Sequence, residues 1–461
     1  MKLIAPGHLP PLDPDFRPAV LANRHFTREA IESGKSTPLV LGFERVDGNI
    51  SRFETVVFRS DHPRASENFD YVERLVKSLI WLKGAWRVYV GGPTEIGDAI
   101  RKCYSASGSR AFDQQFLGEL IYEKKFEVIS CTPEEVPQEN ESQFALGRHL
   151  DGCRIGFDLG ASDIKVSSVV DGEPIFSQEI VWEPVKQTDP VYHRREIMNA
   201  LKLAASKLPR VDAIGGSSAG IIINNRVQVA SLFRGIPRDK FDQVKNIFIE
   251  ARSAFGVPLE VINDGEVTAL AGSMSLEENG ILGIALGSSE AGGFVNSQGN
   301  ITDWLNELAF SPVDFNPQAP LEEWSGDRGV GASYFSQQCV FRLAPAAGID
   351  IPPDLTNADK LKIAQEKLEA GHTGARKIWE SIGTYMGYGI AHYADFYDLQ
   401  HVLILGRVTS GSGGQIILDT ANAILKDEFH AVAEKVKIQL PDEKSRRVGQ
   451  SIAAASLPVT G

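Results

Sequence analysis

The pattern of apolar and polar positions predicts strands that alternate with helices. Within 39–59, two apolar runs flank Asp47-Gly48-Asn49, a strong turn signal that predicts a β-hairpin. Helices are predicted at about 17–33 and 69–82, and a buried strand at 86–90 ends in Gly91-Gly92-Pro93. A polar, acidic stretch at 132–141 is typical of a boundary loop.

From residue 151 onward, predicted strands repeatedly end in polar or glycine-rich segments. Helices are predicted at about 192–208 and 239–255, and strands at 153–158, 166–170, 175–181, 211–214, 259–262, 281–286 and 402–405. This alternation indicates a mixed α/β fold with glycine turns at the ends of its strands.

Composition narrows the class of protein. The 461 residues are 43% hydrophobic and 23% charged, as in an ordinary globular protein. A net charge of −13 argues against a general nucleic-acid binder, and no apolar run approaches the roughly 20 residues of a membrane helix. The start does not resemble a signal peptide, so we expect a cytoplasmic protein. The four cysteines lie far apart without CxxC spacing, which argues against a disulfide framework.

The segment Asp158-Leu-Gly-Ala-Ser-Asp-Ile-Lys165 follows a predicted strand and has the pattern of a phosphate-binding turn. Gly160 allows the turn, and we expect Ser162 and the backbone N–H groups to face outward, towards phosphate oxygens. Asp158 suits Mg²⁺, bound through water because Mg²⁺ keeps several of its waters. A structural β-turn with a solvated aspartate fits this motif equally well.

Two further segments follow predicted strands in the same way. Gly287-Ser-Ser-Glu-Ala-Gly-Gly293 could hold a triphosphate together with the first turn, or be a glycine-rich bend in a sheet. Asn263-Asp264 lies at a strand end, where ligands collect in open α/β sheets. Asp264 could accept a hydroxyl proton during phosphoryl transfer while Asn263 orients the hydroxyl. The pair could also cap a helix, and both roles are compatible.

In this order the motifs resemble those of the ROK family (repressor, open reading frame, kinase) of sugar kinases and sugar-responsive regulators. The resemblance covers about residues 153–457 and rests most on the Asp158 turn and the Asn263-Asp264 helix. The matching positions are 158–165, Gly220, Pro237, 263–272, 286–288, Glu307, 404–406, Gly449 and 453–454. The resemblance implies a two-lobed actin-like ATPase (ribonuclease H-like) fold with lobes at 151–275 and 276–461. The last helix could pack on the first of these lobes.

The resemblance also implies a role for each matching residue. Asp264 is expected to be the general base, and Asn263 and Glu307 are expected to hold the sugar hydroxyls. The implied cofactors are ATP and Mg²⁺, with Asp158 as the Mg²⁺ ligand through water and a small sugar or polyol as the substrate. Residues expected on the other wall of the sugar pocket are Ser218, Gly220, Ser231 and Arg234. Residues expected at the nucleotide and its phosphates are Asp158, Gly160, Ala161, Ser162, Lys165, Gly287, Ser288, Gly406 and Arg407.

Several positions depart from the family pattern. The zinc-binding cysteines of the family would fall at 325–331, where this chain has none, so we expect no zinc site. Phe310 replaces a sugar-binding histidine and could stack on a sugar face, fill the space of the lost metal, or belong to the core. Glu290 would repel phosphate unless it turns away or binds Mg²⁺. Arg407 replaces a glycine and could stack on adenine, hold a phosphate or lie on the surface.

Three functions remain open from the sequence. The main hypothesis is ATP-dependent phosphorylation of a hydroxyl on a sugar or sugar-like polyol, as in glucokinases and hexokinases. The second is a non-catalytic sugar sensor or regulator, because several phosphate-turn glycines are altered. The third is an actin-like ATPase without a sugar substrate. A DNA-binding repressor is not expected, because residues 1–36 lack a helix-turn-helix with a basic face.

The N-terminal α/β extension, residues 1–150, carries no motif that indicates catalysis. Residues 37–150 could be a degenerate copy of the C-terminal lobe, or their similarity to it could be chance. The extension could cover the C-terminal lobe, mediate dimerisation or form a lid. We expect no nucleic-acid or membrane partner, and we leave a homodimer open.

Overall fold

The computed structural model describes residues 1–141, 143–144, 146–441 and 443–460. Their contacts divide the chain into two compact units, each discontinuous in sequence. The first unit comprises Met1–Ser142, Ile284–Gly292 and Asp303–Leu440, and the second comprises Gln143–Gly283, Gly293–Thr302 and Pro441–Gly461. The three-part division at 1–150, 151–275 and 276–461 stays a prediction, because it concerns consecutive domains rather than these discontinuous units.

The N-terminal section forms an α/β layer within the first unit. Its sheet has the strand order β2-β1-β3-β4, in which β3 is antiparallel to β1 and parallel to β4. The predicted hairpin is confirmed, since β1 and β2 are antiparallel and Asp47 and Gly48 both have positive φ angles. The elements are α1 (Ala19–Glu32), β1 (Ser36–Glu44), β2 (Ile50–Phe58), α2 (Asn68–Leu82), β3 (Arg87–Gly91), α3 (Thr94–Cys103), α4 (Ala111–Gln115) and β4 (Glu127–Cys131).

The second unit is built on a five-stranded sheet of order β12-β9-β6-β7-β8. Strands β6, β7 and β8 form an antiparallel meander. Strands β9 and β12 are parallel to β6 and lie on its other side. This is the ribonuclease H-like arrangement that the resemblance implies. The elements are β5 (Gln143–Phe144), β6 (Cys153–Leu159), β7 (Asp163–Val170), β8 (Glu173–Val181), α5 (Pro190–Ala205), β9 (Ala213–Ser218), β10 (Ile221–Ile223), β11 (Arg226–Val229), α6 (Asp242–Lys245), α7 (Ile247–Phe255), β12 (Leu259–Asn263) and α8 (Asp264–Leu276).

Two predicted elements of this unit differ from the structure. The strand predicted at 211–214 is β9, which begins at Ala213 and continues through two glycines to Ser218. The helix predicted at 239–255 is divided at Asn246 into α6 and α7. One face of the sheet packs on α5 and α7 through buried side chains that include Phe157, Ile197 and Phe248.

The remaining elements complete both units. Strands β16 and β17 are parallel neighbours in the first unit, and β15 pairs with β5 in the antiparallel sense in the second. Helix α14 packs on α8 and β6 within the second unit. The elements are β13 (Ile281–Leu286), β14 (Glu290–Val295), β15 (Ile301–Thr302), α9 (Gln337–Leu343), α10 (Asn357–Glu369), α11 (Thr373–Tyr393), β16 (His401–Leu405), α12 (Ser412–Glu428), α13 (His430–Lys435), β17 (Lys437–Gln439) and α14 (Glu443–Ala455).

The strand directions bear on the predicted lobe copy. After the N-terminal hairpin, β3 adds to β1 in the antiparallel sense, whereas β9 adds to β6 in the parallel sense. Read across the sheet, β2-β1-β3-β4 has the same strand directions as β8-β7-β6-β9, but the chain passes through the strands in a different order. The proposal that 37–150 is a degenerate lobe copy stays a prediction.

Candidate functional site

Three parallel strands bring the predicted polar residues of the second unit to one edge of its sheet. In the register of β6, β9 and β12, Asp158 pairs with Ser217, and Ser218 pairs with Asn263. The carboxyl ends of parallel strands meet at the same edge of a sheet. Asp158 on β6 and Asn263 on β12 therefore lie on either side of the end of β9. The two motifs that the sequence places far apart therefore belong to one site.

Asp158 is fixed by a hydrogen bond that the sequence analysis did not assign. Ser217 Oγ donates to Asp158 Oδ1 at 2.7 Å, and Lys165 Nζ lies 3.8 Å from Oδ2. Burial raises the pKa of Asp158, and the Ser217 and Lys165 contacts oppose this rise. Only the register of β6 and β9 reveals the role of Ser217, because many serines follow strands in this sequence.

The turn after β6 is closed by its own polar groups. The Gly160 N–H donates to the Asp163 carbonyl at 2.9 Å, and Ser162 Oγ donates to the Asp163 carboxylate at 2.9 Å. Lys165 Nζ lies 3.4 Å from Asp163 Oδ1, so its ammonium faces the carboxylates of both Asp158 and Asp163. Ala161 and Ser162 are exposed at the tip of the turn. Phosphate binding by these residues stays a prediction.

Asn263 and Asp264 begin helix α8. Asn263 Oδ1 accepts the Gly265 N–H at 2.8 Å as the N-cap, and Asn263 Nδ2 donates to the Gly220 carbonyl at 2.8 Å. Asp264 Oδ1 accepts the same Gly265 N–H at 3.0 Å. Burial, and then the nearby charge of Asp158, raise the pKa of Asp264 to about 6. The capping interpretation is confirmed for Asn263, and Asp264 is poised to exchange a proton near neutral pH.

The predicted sugar-side residues of the second unit divide into two groups. Gly220 has a φ of 113°, and a Cβ there would lie 2.3 Å from the Val229 carbonyl oxygen, so glycine is required next to Asn263. Ser218 is buried at the end of β9 beside it. Ser231 and Arg234 are exposed on the short helical turn that follows β11. Their contact with a sugar stays a prediction.

Two predicted nucleotide turns are neighbours within the first unit. Gly406 has a φ of 100°, and a Cβ there would lie 2.4 Å from the Leu286 carbonyl oxygen, just before Gly287. The Gly287 N–H donates to the Ser289 carbonyl at 3.0 Å, which closes the turn after β13. Ser288 and Arg407 are exposed, so the surface interpretation fits Arg407 in this structure.

Glu290 turns away from the exposed turn that precedes it. Its side chain is buried, and Tyr393 Oη donates to Glu290 Oε1 at 3.2 Å. Burial raises the pKa of Glu290 well above its ordinary value, and the Tyr393 hydrogen bond opposes this rise. Among the described residues, Glu290 Oε2 has no hydrogen-bond partner. The repulsion of phosphate considered from the sequence is therefore absent in this conformation.

Glu307 and Phe310 lie on one loop of the first unit. The Glu307 N–H donates to the carbonyl of Trp81 at 3.0 Å. Phe310 is 7% exposed, and its ring centroid lies 4.3 Å from that of Trp81. The core interpretation of Phe310 fits this burial. Glu307 is partly exposed, and its contact with a sugar stays a prediction.

The donor chemistry of the Asp158 turn fits Mg²⁺, because carboxylate oxygens are the ligands that this ion accepts from proteins. No group of three or more His, Cys, Asp or Glu side chains within the described ranges is arranged to hold a metal ion. The absence of a zinc site stays a prediction. In the described part of the chain, every helix is too short or too polar to cross a membrane.

Comparisons with known proteins agree with the strand topology. No protein-family model matches the sequence, and the comparison with curated proteins gives no match. A ROK hexokinase from Thermus thermophilus is similar in structure, with a TM-score of 0.52, 18% identity, and coverage of 66% of this chain and 97% of the hexokinase. A ROK family transcriptional regulator, homologous to an E. coli protein, is similar with a TM-score of 0.52, 17% identity, and coverage of 67% and 79%. At these identities the similarity shows the fold, and this chain has the fold of the ROK proteins.

Proposed function

We propose that this chain is a ROK-family sugar kinase that transfers the γ-phosphoryl group of ATP to a hydroxyl of a sugar or sugar-like polyol. The observation that carries the proposal is Asp264, a carboxylate with a pKa raised to about 6 beside the Asp158 turn. A catalytic base works best when its pKa lies near the operating pH, because it must be both unprotonated and able to accept a proton.

In the proposed reaction, Asp264 accepts the proton of the attacking hydroxyl as that oxygen bonds to phosphorus and the bond to ADP breaks. Asn263 is held by its cap and by Gly220, so its amide can orient the sugar without moving. The Glu307 carboxylate is the proposed partner of further hydroxyls. These groups act by positioning, which can supply much of the rate enhancement of phosphoryl transfer.

The Asp158 turn supplies the second half of the proposal. Exposed N–H groups near Ala161 and Ser162 would bind phosphate oxygens, and Asp158 would hold Mg²⁺ through water. Bound Mg²⁺ neutralises negative charge on the phosphate groups. Ser217 and Lys165 keep the Asp158 carboxylate in one orientation. The exposed turns at Ser288 and Arg407 are the proposed contacts of the first unit with the nucleotide.

An ATP-consumption screen tests the proposal. Purified protein is mixed with MgATP and with D-glucose, D-mannose, N-acetylmannosamine, N-acetylglucosamine or myo-inositol, and ADP release is coupled to NADH oxidation. We expect one class of compound to raise ADP release far above the rate without sugar. Equal ADP release with every compound and without any would remove the kinase assignment.

A non-catalytic sugar sensor is the second candidate. The structure of a ROK transcriptional regulator is as similar to this chain as that of the hexokinase, and Ser289 and Ala291 replace phosphate-turn glycines. Calorimetry separates the candidates, because a sensor binds sugar without measurable affinity for ATP, whereas a kinase binds both. A cytoplasmic location, and a homodimer, stay expectations.

A further inference from the structure

The C-terminal end of α2 is joined to the loop that carries Glu307. The Asn306 N–H donates to the Leu82 carbonyl at 3.0 Å, and the Glu307 N–H donates to the Trp81 carbonyl at 3.0 Å. The last carbonyls of a helix lack partners within the helix and must find them elsewhere. Here the N-terminal section and the Glu307 loop satisfy each other's backbone groups within the first unit.

The conformation of this loop requires such support. Asn306 has a φ of 51°, a left-handed conformation that only a few per cent of non-glycine residues adopt, asparagine more often than most. Tyr397 Oη donates to Asn306 Oδ1 at 3.0 Å and holds the side chain as well. A residue in this conformation persists when its surroundings fix it, and the α2 carbonyls are part of those surroundings.

Trp81 links the loop to a buried ion pair. Its side chain is fully buried, with the ring centroid 4.3 Å from that of Phe310, three residues beyond Glu307. Trp81 Nε1 donates to Asp113 Oδ1 at 2.8 Å, and Lys77 Nζ donates to the same oxygen at 2.6 Å. The indole therefore has a fixed orientation, and it fixes Phe310 in turn.

The same section of the chain also holds the far side of the segment that follows Glu307. Asp327 is buried and forms ion pairs with two arginines. Its Oδ2 lies 2.9 Å from Arg110 Nη1 and 3.3 Å from Arg74 Nη1. Arg74 and Trp81 both belong to α2. One helix therefore contacts this segment at Glu307, at Phe310 and at Asp327.

We propose that Trp81 is a positioning residue for sugar binding, through which α2 of the N-terminal section sets the place of the Glu307 carboxylate. This inference rests on the proposed function, in which Glu307 binds the sugar. Trp81 is buried and acts only through the loop. Its loss would weaken sugar binding and leave ATP binding unchanged.

Trp81→Leu and Trp81→Phe test the inference, with Phe26→Leu as the matched control. Phe26 is equally buried and stacks at 4.3 Å on Tyr71, at the other end of α2 from the Glu307 loop. Trp81→Phe keeps a ring against Phe310 but removes the hydrogen bond to Asp113. Circular dichroism and thermal unfolding identify variants that retain the fold.

Hydrogen–deuterium exchange of a peptide covering 304–310 gives a readout that needs no sugar. We expect hydrogen exchange at Asn306 and Glu307 to become about tenfold faster in Trp81→Leu, because the stability that one aromatic contact contributes corresponds to about a tenfold change in local opening. Exchange should change less in Trp81→Phe. Phe26→Leu should leave this peptide unchanged. Unchanged exchange in folded Trp81→Leu, or equal acceleration in Phe26→Leu, overturns the inference.

Steady-state kinetics supply the functional readout, with the panel sugar that the wild-type protein phosphorylates fastest. The KM for that sugar should rise about tenfold in Trp81→Leu, with the KM for ATP within twofold of wild type. An equal rise in both KM values contradicts a positioning role. A wild-type protein that phosphorylates no panel sugar overturns the proposed function, while the exchange experiment still decides whether Trp81 holds the loop.

Discussion

Asp264 and Asp158 are two carboxylates in one site, and the charge of Asp158 affects the protonation of Asp264. The pKa of Asp264 is raised to about 6 by burial first and by the charge of Asp158 second. A base must be unprotonated to act, so kcat/KM should rise with pH and level off above about 6. An acidic limb near the ordinary aspartate pKa would contradict this environment.

Asp158→Asn should lower the pKa of Asp264, because it removes the like charge while burial remains. The measurement is a ¹³C NMR titration of the Asp264 carboxyl in aspartate-labelled protein, which requires no activity. Asp264→Asn identifies the resonance. An Asp264 pKa that stays the same in Asp158→Asn would show that the two carboxylates do not interact.

Glu290→Gln should preserve the fold, because glutamine has the shape of glutamate and burial disfavours the charged form of Glu290. The pKa of Glu290 is raised in the folded state, so the wild-type protein loses stability as pH rises above the unfolded pKa of glutamate. The variant lacks this loss, so its stability relative to wild type should increase as pH rises above the unfolded pKa of glutamate.

Urea unfolding of Glu290→Gln at several pH values measures the difference, and Glu290→Ala provides a contrast. Alanine leaves a cavity and the Tyr393 hydroxyl without its acceptor, which costs about 1–3 kcal/mol. A stability difference between Glu290→Gln and wild type that does not depend on pH would mean that Glu290 is not buried as a neutral acid.

The sequence predicts some of these residues and not others. Asp158 and Asn263-Asp264 can be found because each follows an apolar run that predicts a strand. The Ser217 hydrogen bond and the inward side chain of Glu290 depend on the pairing of distant strands and on which face of a strand a side chain occupies. A glycine-rich segment such as 287–293 gives no reliable periodicity from which that face could be inferred.

At the scale of elements, glycines in β6 and β9 let α14 approach the sheet of the second unit. A Cβ at Gly215 would lie 1.6 Å from the Ala454 carbonyl oxygen, and one at Gly156 would lie 2.2 Å from that of Ser451. The glycines at 215 and 216 make the predicted strand shorter than the observed one. The close approach of α14 requires Gly215, whereas a Cβ at Gly216 would overlap the ring of Phe157.

Gly215→Ala should destabilise the protein by about 1–3 kcal/mol or more, because the added methyl overlaps the backbone of α14. Gly283→Ala is the matched control, since a Cβ at that strand position lies 3.6 Å from its nearest neighbour, an ordinary contact. Chemical denaturation compares the two variants. Equal stability would mean that α14 does not pack against β9 as described.

At the scale of the whole molecule, the N-terminal section is an integral part of the first unit. Arg45 is buried and donates to Asp303 at 2.9 Å, and Lys83 donates to the Phe396 carbonyl at 2.9 Å. The sequence could not show this, because the partners lie hundreds of positions apart and no local pattern records the contact. Composition alone leaves 1–150 as an extension of unknown role.

Deletion of residues 1–141 should therefore give an unfolded or insoluble protein, because it uncovers apolar surface and leaves Asp303 without its arginine. Glu32→Gln, at the exposed C-terminal end of α1, is the control and should leave the melting temperature nearly unchanged. A soluble, cooperatively folded fragment starting at 142 would contradict the division of the chain into these units.

Asp264→Asn tests the proposed role of Asp264 as the base of the phosphoryl transfer. The control is Glu277→Gln, which makes the same carboxylate-to-amide change just beyond the other end of α8. We predict that Asp264→Asn lowers kcat about 10²–10⁴-fold while calorimetry gives wild-type affinities for ATP and sugar, and that Glu277→Gln behaves as wild type. Near-normal turnover by Asp264→Asn would show that Asp264 is not the group that accepts the hydroxyl proton.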